Sequence, residues 1–338
     1  MVLVTGGTGL IGSHLLYELA SQHDKITAIK RPGSNTERVL KIFGYYSCNA
    51  QELFNKITWA DAELNDLSAL VPVFKNAVMV YHCAGLVSFD RKLKKKLFEV
   101  NAEGTSNVVN LCLGSDVKKL CFVSSIASLG EYDAMKPVDE DAKWKPGKKS
   151  GVYALSKYKA ELEVWRANAE GLNTIVVNPS VVIGPGIWDS PLGKMLGQVK
   201  KGMPFYTLGS TGYVDVRDVA RIMVMLMQSD ISGEQFLISS ENLRFKELLE
   251  IISELTGNKK PYIYASPVLT NLAQKINSFV STFTGNSPAI TKDSAKIAHK
   301  TFLYSSEKVK RRLGYEFIPV TESLRFTIEK YLSELNGN

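Results

Sequence analysis

Histidine and cysteine are scarce, with four of each in 338 residues. Cys48, Cys83, Cys112 and Cys121 lie far apart with no C-x-x-C pair, and no two histidines share a helical spacing. A disulfide scaffold or a zinc site needs thiolates or imidazoles at close spacing, so reduced thiols and no metal are expected. No apolar run approaches the roughly 20 residues that cross a bilayer. No charged-then-apolar leader precedes "MVLVTGG", and the expected location is cytoplasmic. Repeats and low-complexity tracts are absent.

Basic residues outnumber acidic ones 41 to 34, for a net charge of +7. Their densest run, "RKLKKKLFE" at 91–99, interleaves lysines with Leu93, Leu97 and Phe98 at helical spacing. That is a solvated helix face rather than a nucleic-acid site, and no nucleic-acid partner is expected. A basic surface would also help attract a phosphorylated ligand.

Short β-branched runs at 1–5, 25–30, 57–61, 78–84, 119–125 and 173–180 alternate with helical patterns at 10–22, 36–55, 92–113 and 153–169. The runs are apolar at consecutive positions, as strands covered by helices on both faces must be. Alternation of this length predicts an α/β fold with a doubly wound parallel sheet. Beyond about residue 184 helical stretches dominate (190–201, 216–228, 245–256, 266–283, 305–313 and 321–335). They predict a smaller, mostly helical C-terminal lobe. One more strand, at 235–239, is a candidate to return to the sheet.

"VTGGTGLIGSHL" follows the first strand and opens the first helix. Gly6 permits a tight turn, Gly9 lets the backbone approach a pyrophosphate, and Gly12 lets helix and strand pack closely. Thr8, Leu10 and Ile11 complete a loop whose N–H groups and helix dipole would face the phosphates. A dinucleotide cofactor is expected, which makes residues 1–184 a Rossmann-type NAD(P)-binding domain and 185–338 the substrate lobe. The second strand ends Ile29-Lys30-Arg31-Pro32, without the carboxylate that bonds a ribose 2′-hydroxyl in NAD sites. Lys30 and Arg31 suit a 2′-phosphate, so NADP is expected ahead of NAD.

"GVYALSKYKAE" (151–161) places Tyr153 and Lys157 one helical turn apart. Spacing alone leaves open an acid–base pair or two residues on a wet helix. With the glycine loop and the serine-rich strand end "VSSIASLG", the chain resembles the extended short-chain dehydrogenase/reductases, the NAD-dependent epimerase/dehydratase family. "TGGTGLIG" matches T-G-x-x-G-x-x-G and "YALSK" matches Y-x-x-x-K, while "NAEGTSNVV" and "YVDVRDVA" are similar to later family segments. The resemblance spans essentially the whole chain. It implies Tyr153 as acid/base, Lys157 as its partner, Ser125 (Ser124 as the alternative) as the substrate-orienting hydroxyl, and Asn101 as the helix-four asparagine. It also implies cofactor contacts at Ala84 and Gly85 in "HCAGLV", at Glu63 and Leu64 in "AELND", and at Pro179. Asn101 also reads as a residue that caps or bends its helix, and Asp218 as the N-cap of the helix that follows "DVR".

The expected chemistry is hydride transfer with a proton moving at the carbonyl oxygen. A lysine ammonium one turn from the tyrosine, beside the positive nicotinamide ring of the oxidised cofactor, would lower the phenol's pKa from about 10. Nucleotide-sugar members carry R-x-x-N-x-Y-G-P in the strand that here reads "VVNPSVVIGPG". Asn178 and Val181 stand at the arginine and asparagine positions. "PSVVIGP" is instead similar to dihydroflavonol reductase-like and 3β-hydroxysteroid dehydrogenase-like members, which implies an apolar small-molecule substrate. Phe89, Tyr132, Trp188 and Phe205 are candidate pocket residues or plain core. A nucleotide-sugar epimerase or dehydratase, anchored by Arg217, Arg244 or the 308–312 run, is the alternative. A non-catalytic NmrA-like sensor, which typically lacks the Tyr/Lys pair, comes third. Family members often pair through helices four and five, so a homodimer is an expectation.

Overall fold

The computed structural model describes residues 1–129, 136–142, 151–284 and 291–337; Tyr132 lies outside the described residues. The strands are β1 (Val2–Thr5), β2 (Ile26–Lys30), β3 (Ile57–Asp61), β4 (Met79–His82), β5 (Lys119–Val123) and β6 (Asn173–Pro179). They continue as β7 (Val181–Ile183), β8 (Phe205–Tyr206), β9 (Ser210–Asp215), β10 (Glu234–Ile238), β11 (Glu241–Arg244) and β12 (Ile263–Tyr264). Seven of these form a sheet in the order β10-β6-β5-β4-β1-β2-β3. All of its pairings are parallel.

Helices on both faces explain the consecutive apolar positions. Val2, Val4, Tyr81, Cys121, Val123, Ile175 and Val177 point to one face. It is covered by α1 (Leu10–Ala20) and α2 (Glu37–Gly44), with α3 (Ala50–Asn55) alongside. Leu3, Val80, Leu120, Phe122 and Val176 point to the other, under α4 (Leu67–Phe74), α6 (Gly104–Leu113) and α7 (Val152–Ala169). The two-residue side-chain period sorts each strand between two cores, and both are apolar.

The expected helix over 92–113 is broken. It runs as α5 (Lys94–Phe98), a π-helical turn at Glu99–Glu103, then α6. Asn101 lies in that turn, at the kind of ladder defect that frequently marks a functional site. α4 escaped the sequence reading because "LSALVPVF" has an internal proline and no polar face.

The C-terminal lobe contains α8 (Pro191–Lys200), α9 (Val216–Gln228), α10 (Phe245–Leu255), α11 (Pro267–Thr284), α12 (Lys292–Ile297), α13 (Glu307–Leu313) and α14 (Val320–Leu335). α9 belongs to the first sheet face, through Val219, Met223 and Leu226. α8, α10 and α14 enclose a separate core with Ile183 and Tyr213. Two small sheets, β11-β9-β7 and β12-β8, complete the lobe. Their short strands bury polar residues such as Ser210 and Thr211, which hid them from an apolar-pattern reading.

Asp215, not Asp218, caps α9: its carboxylate accepts from Arg217 N at 2.7 Å and holds the Arg217 guanidinium through both oxygens. Asp218 sits one turn further in, fully buried, accepting from Tyr315 Oη at 2.8 Å and Ile318 N at 3.0 Å. It ties the segment before α14 to α9. Burial raises its pKa from 3.8 to about 6. The folded state therefore holds the proton more tightly than the unfolded chain, so this group's contribution is full below pH 3.8 and is lost as pH rises through about 6. Between those limits the wild type should lose roughly 3 kcal/mol relative to Asp218→Asn. Thermal melts of the two proteins across that range measure the difference directly; parallel curves would refute it.

Candidate active site

Gly6 has φ +69°, a left-handed turn open to glycine. A Cβ there would lie 2.6 Å from the Ala84 backbone, and one on Gly12 would run into the Gly6 carbonyl. The three segments β1, α1 and the end of β4 thus meet where only glycine fits. Gly9 is exposed as the N-cap of α1, with no side chain capping the first turn. That open, positive helix end fits a dinucleotide phosphate.

One turn into α1 the helix is tied down. His14 is buried, with Nε2 3.1 Å from Pro185 O and Nδ1 2.7 Å from Tyr46 Oη. Burial lowers its pKa to about 4. The neutral ring donates from Nε2 to the carbonyl and accepts the Tyr46 hydroxyl at Nδ1, the one tautomer that satisfies both. It fastens α1 to the turn that follows β7.

At the edge of β2 the charges are arranged differently from expectation. Lys30 faces Asp61 across the β2–β3 register and pairs with it at 2.5 Å. Arg31 is exposed and has no ion-pair partner among the described residues. Glu63 is also exposed, and Leu64 gives its carbonyl to Asn107 Nδ2 at 2.9 Å.

Tyr153 and Lys157 lie on the buried face of α7. Ser125 stands beside the Tyr153 phenol, where its hydroxyl favours the phenolate, whereas Ser124 turns to Ser128 at 3.1 Å. Burial raises the Tyr153 pKa, opposed by the Ser125 bond. Within the protein alone, desolvation of the phenolate outweighs the Ser125 contact; the expected lowering depends also on the positive nicotinamide ring of the oxidised cofactor. Lys157 Nζ donates to Val123 O at 3.0 Å and lies 5.1 Å from the Phe122 ring centre. Its own pKa falls to about 8 through burial. A Cβ on Gly85 would sit 2.9 Å from that amine and 3.3 Å from Asn101 Oδ1.

Asn101 bridges three segments. Its Oδ1 accepts from Leu86 N at 2.7 Å, while Nδ2 donates to Leu86 O at 3.0 Å and Ser156 Oγ at 2.9 Å. The π turn brings the side chain to the strand end and α7 together. Pro179 is buried at the end of β6. Phe89 meets Tyr153 edge to face, with ring centres 5.8 Å apart at 70°. Trp188 lies elsewhere, against Tyr331, on a 430 Å³ cavity that α2 residues line with Glu334. Phe205 is exposed in β8, which pairs with β12.

Two residues that the sequence reading did not assign to the site stand beside it. Glu161 extends the Tyr153–Lys157 spacing by one more turn and is buried, and Asn178 on β6 is fully buried against it at 2.6 Å. The third member of a four-residue series was a signal in plain view. Among the described residues no group of three His, Cys, Asp or Glu is placed to hold a metal, and no helix is long and apolar enough to cross a membrane.

A seven-stranded parallel sheet, the glycine turn at its first strand and a Tyr/Lys pair on the helix before β6 together define a nicotinamide-dependent enzyme of the extended short-chain dehydrogenase/reductase type. The chain belongs to the NAD dependent epimerase/dehydratase family, whose model matches residues 2–239. It is 27% identical over 329 residues to a putative dihydroflavonol 4-reductase of Synechocystis sp., covering 95% of this chain and 91% of the relative. The crystal structure of gox2253 superposes with a TM-score of 0.81 at 27% identity, covering 99% and 98% of the two chains. A UDP-glucose 4-epimerase from Thermotoga maritima, solved with UDP-glucose, shares the fold at 20% identity and a TM-score of 0.77, covering 99% of each chain.

Gly12→Ala should weaken cofactor binding at least about tenfold, since the new methyl must push the loop off the helix. Quenching of intrinsic fluorescence by NADPH and NADH measures this; affinity within a factor of about two of wild type would contradict the packing argument.

Proposed function

We propose that this enzyme transfers a hydride between a nicotinamide cofactor, NADP ahead of NAD, and the carbonyl or alcohol carbon of a largely apolar small molecule. Phe89 carries the reading: an exposed ring packed edge-on to the catalytic phenol, two residues past the exposed Val87. Val181, exposed at the start of β7, adds an apolar side chain where nucleotide-sugar members place an asparagine.

The nicotinamide ring supplies or receives the hydride; the protein manages the proton. Burial keeps the Tyr153 phenol protonated at neutral pH, so it can donate to a carbonyl oxygen as charge develops there. Ser125 donates a second hydrogen bond at that position. Lys157, held by Val123 O, sets the positive potential beside the phenol and can reach ribose hydroxyls. Ionising the phenol favours the reverse direction, so alcohol oxidation should speed up as pH rises while carbonyl reduction declines. Gly6, Thr8, Gly9, Leu10, Ile11 and Gly12 would hold the pyrophosphate, with Ala84, Gly85 and Pro179 alongside. Arg31, with Lys30 already neutralised by Asp61, is the group we assign to a 2′-phosphate.

An epimerase or dehydratase acting on a nucleotide sugar would need cations for the diphosphate. Arg217 is committed to Asp215 and stacked on Phe326, and Arg244 lies near Glu247. Lys308 and Arg312 both pair with Glu234, and Lys310 with Glu307. These contacts favour the apolar substrate.

Purified protein would be assayed by nicotinamide absorbance with hydrophobic aldehydes and ketones, and by product analysis with UDP- and dTDP-sugars. NADPH consumption with an apolar carbonyl is expected. Sugar-nucleotide conversion without net cofactor use would replace the proposal with the epimerase reading. Tyr153→Phe should cut turnover at least about 100-fold while cofactor affinity is kept, which a non-catalytic sensor would not show. Arg31→Ala should raise KM for NADPH about tenfold and leave NADH unchanged; equal effects on both would remove Arg31 from phosphate recognition.

A further inference from the structure

Tyr153, Lys157 and Glu161 fall at successive turns on one face of α7, and all three are buried. Glu161 is only 5% exposed, beneath the serine turn that ends β5. Its carboxylate is met by donors. Asn178 Nδ2 and Ser128 Oγ each lie 2.6 Å from Oε1. Burial pushes the Glu161 carboxyl up, and the donors of that shell oppose the push by favouring the ionised, acceptor-only form. The Ser125 carbonyl shares these groups, the one Ser128 hydroxyl hydrogen and the Asn178 amide hydrogens being divided between it and the carboxylate. Asn178 Nδ2 is 3.1 Å and Ser128 Oγ 2.6 Å from the Ser125 carbonyl. Gln235 on β10 fixes the Asn178 amide by donating to its Oδ1 at 2.9 Å. Resting on the reading of Tyr153, Lys157 and Ser125 as the working site, we propose that Glu161 is its positioning residue: the carboxylate anchors the Ser125 turn through Asn178 and Ser128 and serves as the buried counter-charge of Lys157.

The surroundings give the anion few alternatives. Glu161 faces Ser124 and Ser128 from the serine turn, Asn178 from β6 and Lys157 from its own helix. Lys157 faces Cys83 and the neutral His82 at the end of β4, the Phe122 ring on β5, and Glu161. Among the described residues Glu161 is the one carboxylate that raises the lysine's pKa against burial. A buried carboxylate without a matching cation would be costly, and so would the lysine without its anion. Burial pushes the carboxyl up and the ammonium down, and each charge opposes that push on the other.

The test is Glu161→Gln, which preserves shape and removes charge. Competitive acetylation followed by peptide mass spectrometry reads the titration of Lys157 with no substrate present. The lysine should titrate about one pH unit lower than in wild type. An unchanged Lys157 titration in folded Glu161→Gln overturns the counter-charge role. Asn178→Ala keeps the charge, covers the case in which Glu161→Gln fails to fold, and tests the anchor. Lys157 should titrate as in wild type, cofactor affinity should stay within about a factor of two, and kcat should fall about tenfold through loss of Ser125 alignment. An unchanged kcat overturns the anchoring role. Because the lysine titration needs no turnover, it stands or falls separately from the substrate assignment; failure of every carbonyl in the panel would defeat that assignment alone.

Discussion

Lys157 is a cation with almost no access to water, and the arrangement around the sheet's carboxyl end follows from that. Its ammonium is satisfied by the Val123 carbonyl at the tip of β5, by the Phe122 ring beneath it and by the field of Glu161. To bring these groups together, β5 must end where it does, α7 must cross close to the strand tips, and position 85 must carry no side chain. Asn101 then closes the space on the far side through its π turn, pinning Leu86 and Ser156. A charge that water would solvate freely is here solvated by fixed dipoles, and fixed dipoles need no reorganisation when a proton moves.

The parts of this structure that were legible in the sequence are those governed by neighbours along the chain. Strand–helix alternation, the glycine loop and the Tyr153/Lys157 spacing are local patterns, and each lies where its pattern put it. What escaped depends on partners far apart in sequence. Lys30 read as a free phosphate ligand because nothing nearby reveals that the β2–β3 register sets Asp61 opposite it. Asp218 read as a cap because its true partners, Tyr315 and Ile318, lie about a hundred residues downstream. The cost of desolvating the Tyr153 phenolate is a further case, since it depends on how α7 is buried and is invisible in a short motif.

The broken helix between α5 and α6 shows the same division at a finer scale. Residues 92–113 carry helical spacing throughout, and helix is what forms on either side of Glu99–Glu103. The local widening to π geometry follows from the position of Asn101, whose amide is engaged by the backbone of Leu86 and the hydroxyl of Ser156. Tertiary hydrogen bonds reshape a locally regular segment at the point where the site needs a polar group facing inward.

The route of the chain through β10 has a bearing on descent. After β6 the polypeptide leaves for β7, β8, β9 and α9, then returns to lay β10 along β6 before departing again. Gln235, which braces Asn178 beneath the serine turn, arrives on that returning strand. The sheet and the elements between β6 and β10 are therefore interlaced along the chain. Exchanging the whole contiguous stretch after β6 would carry off one edge of the sheet, and with it the Gln235 brace beneath the Ser125 turn.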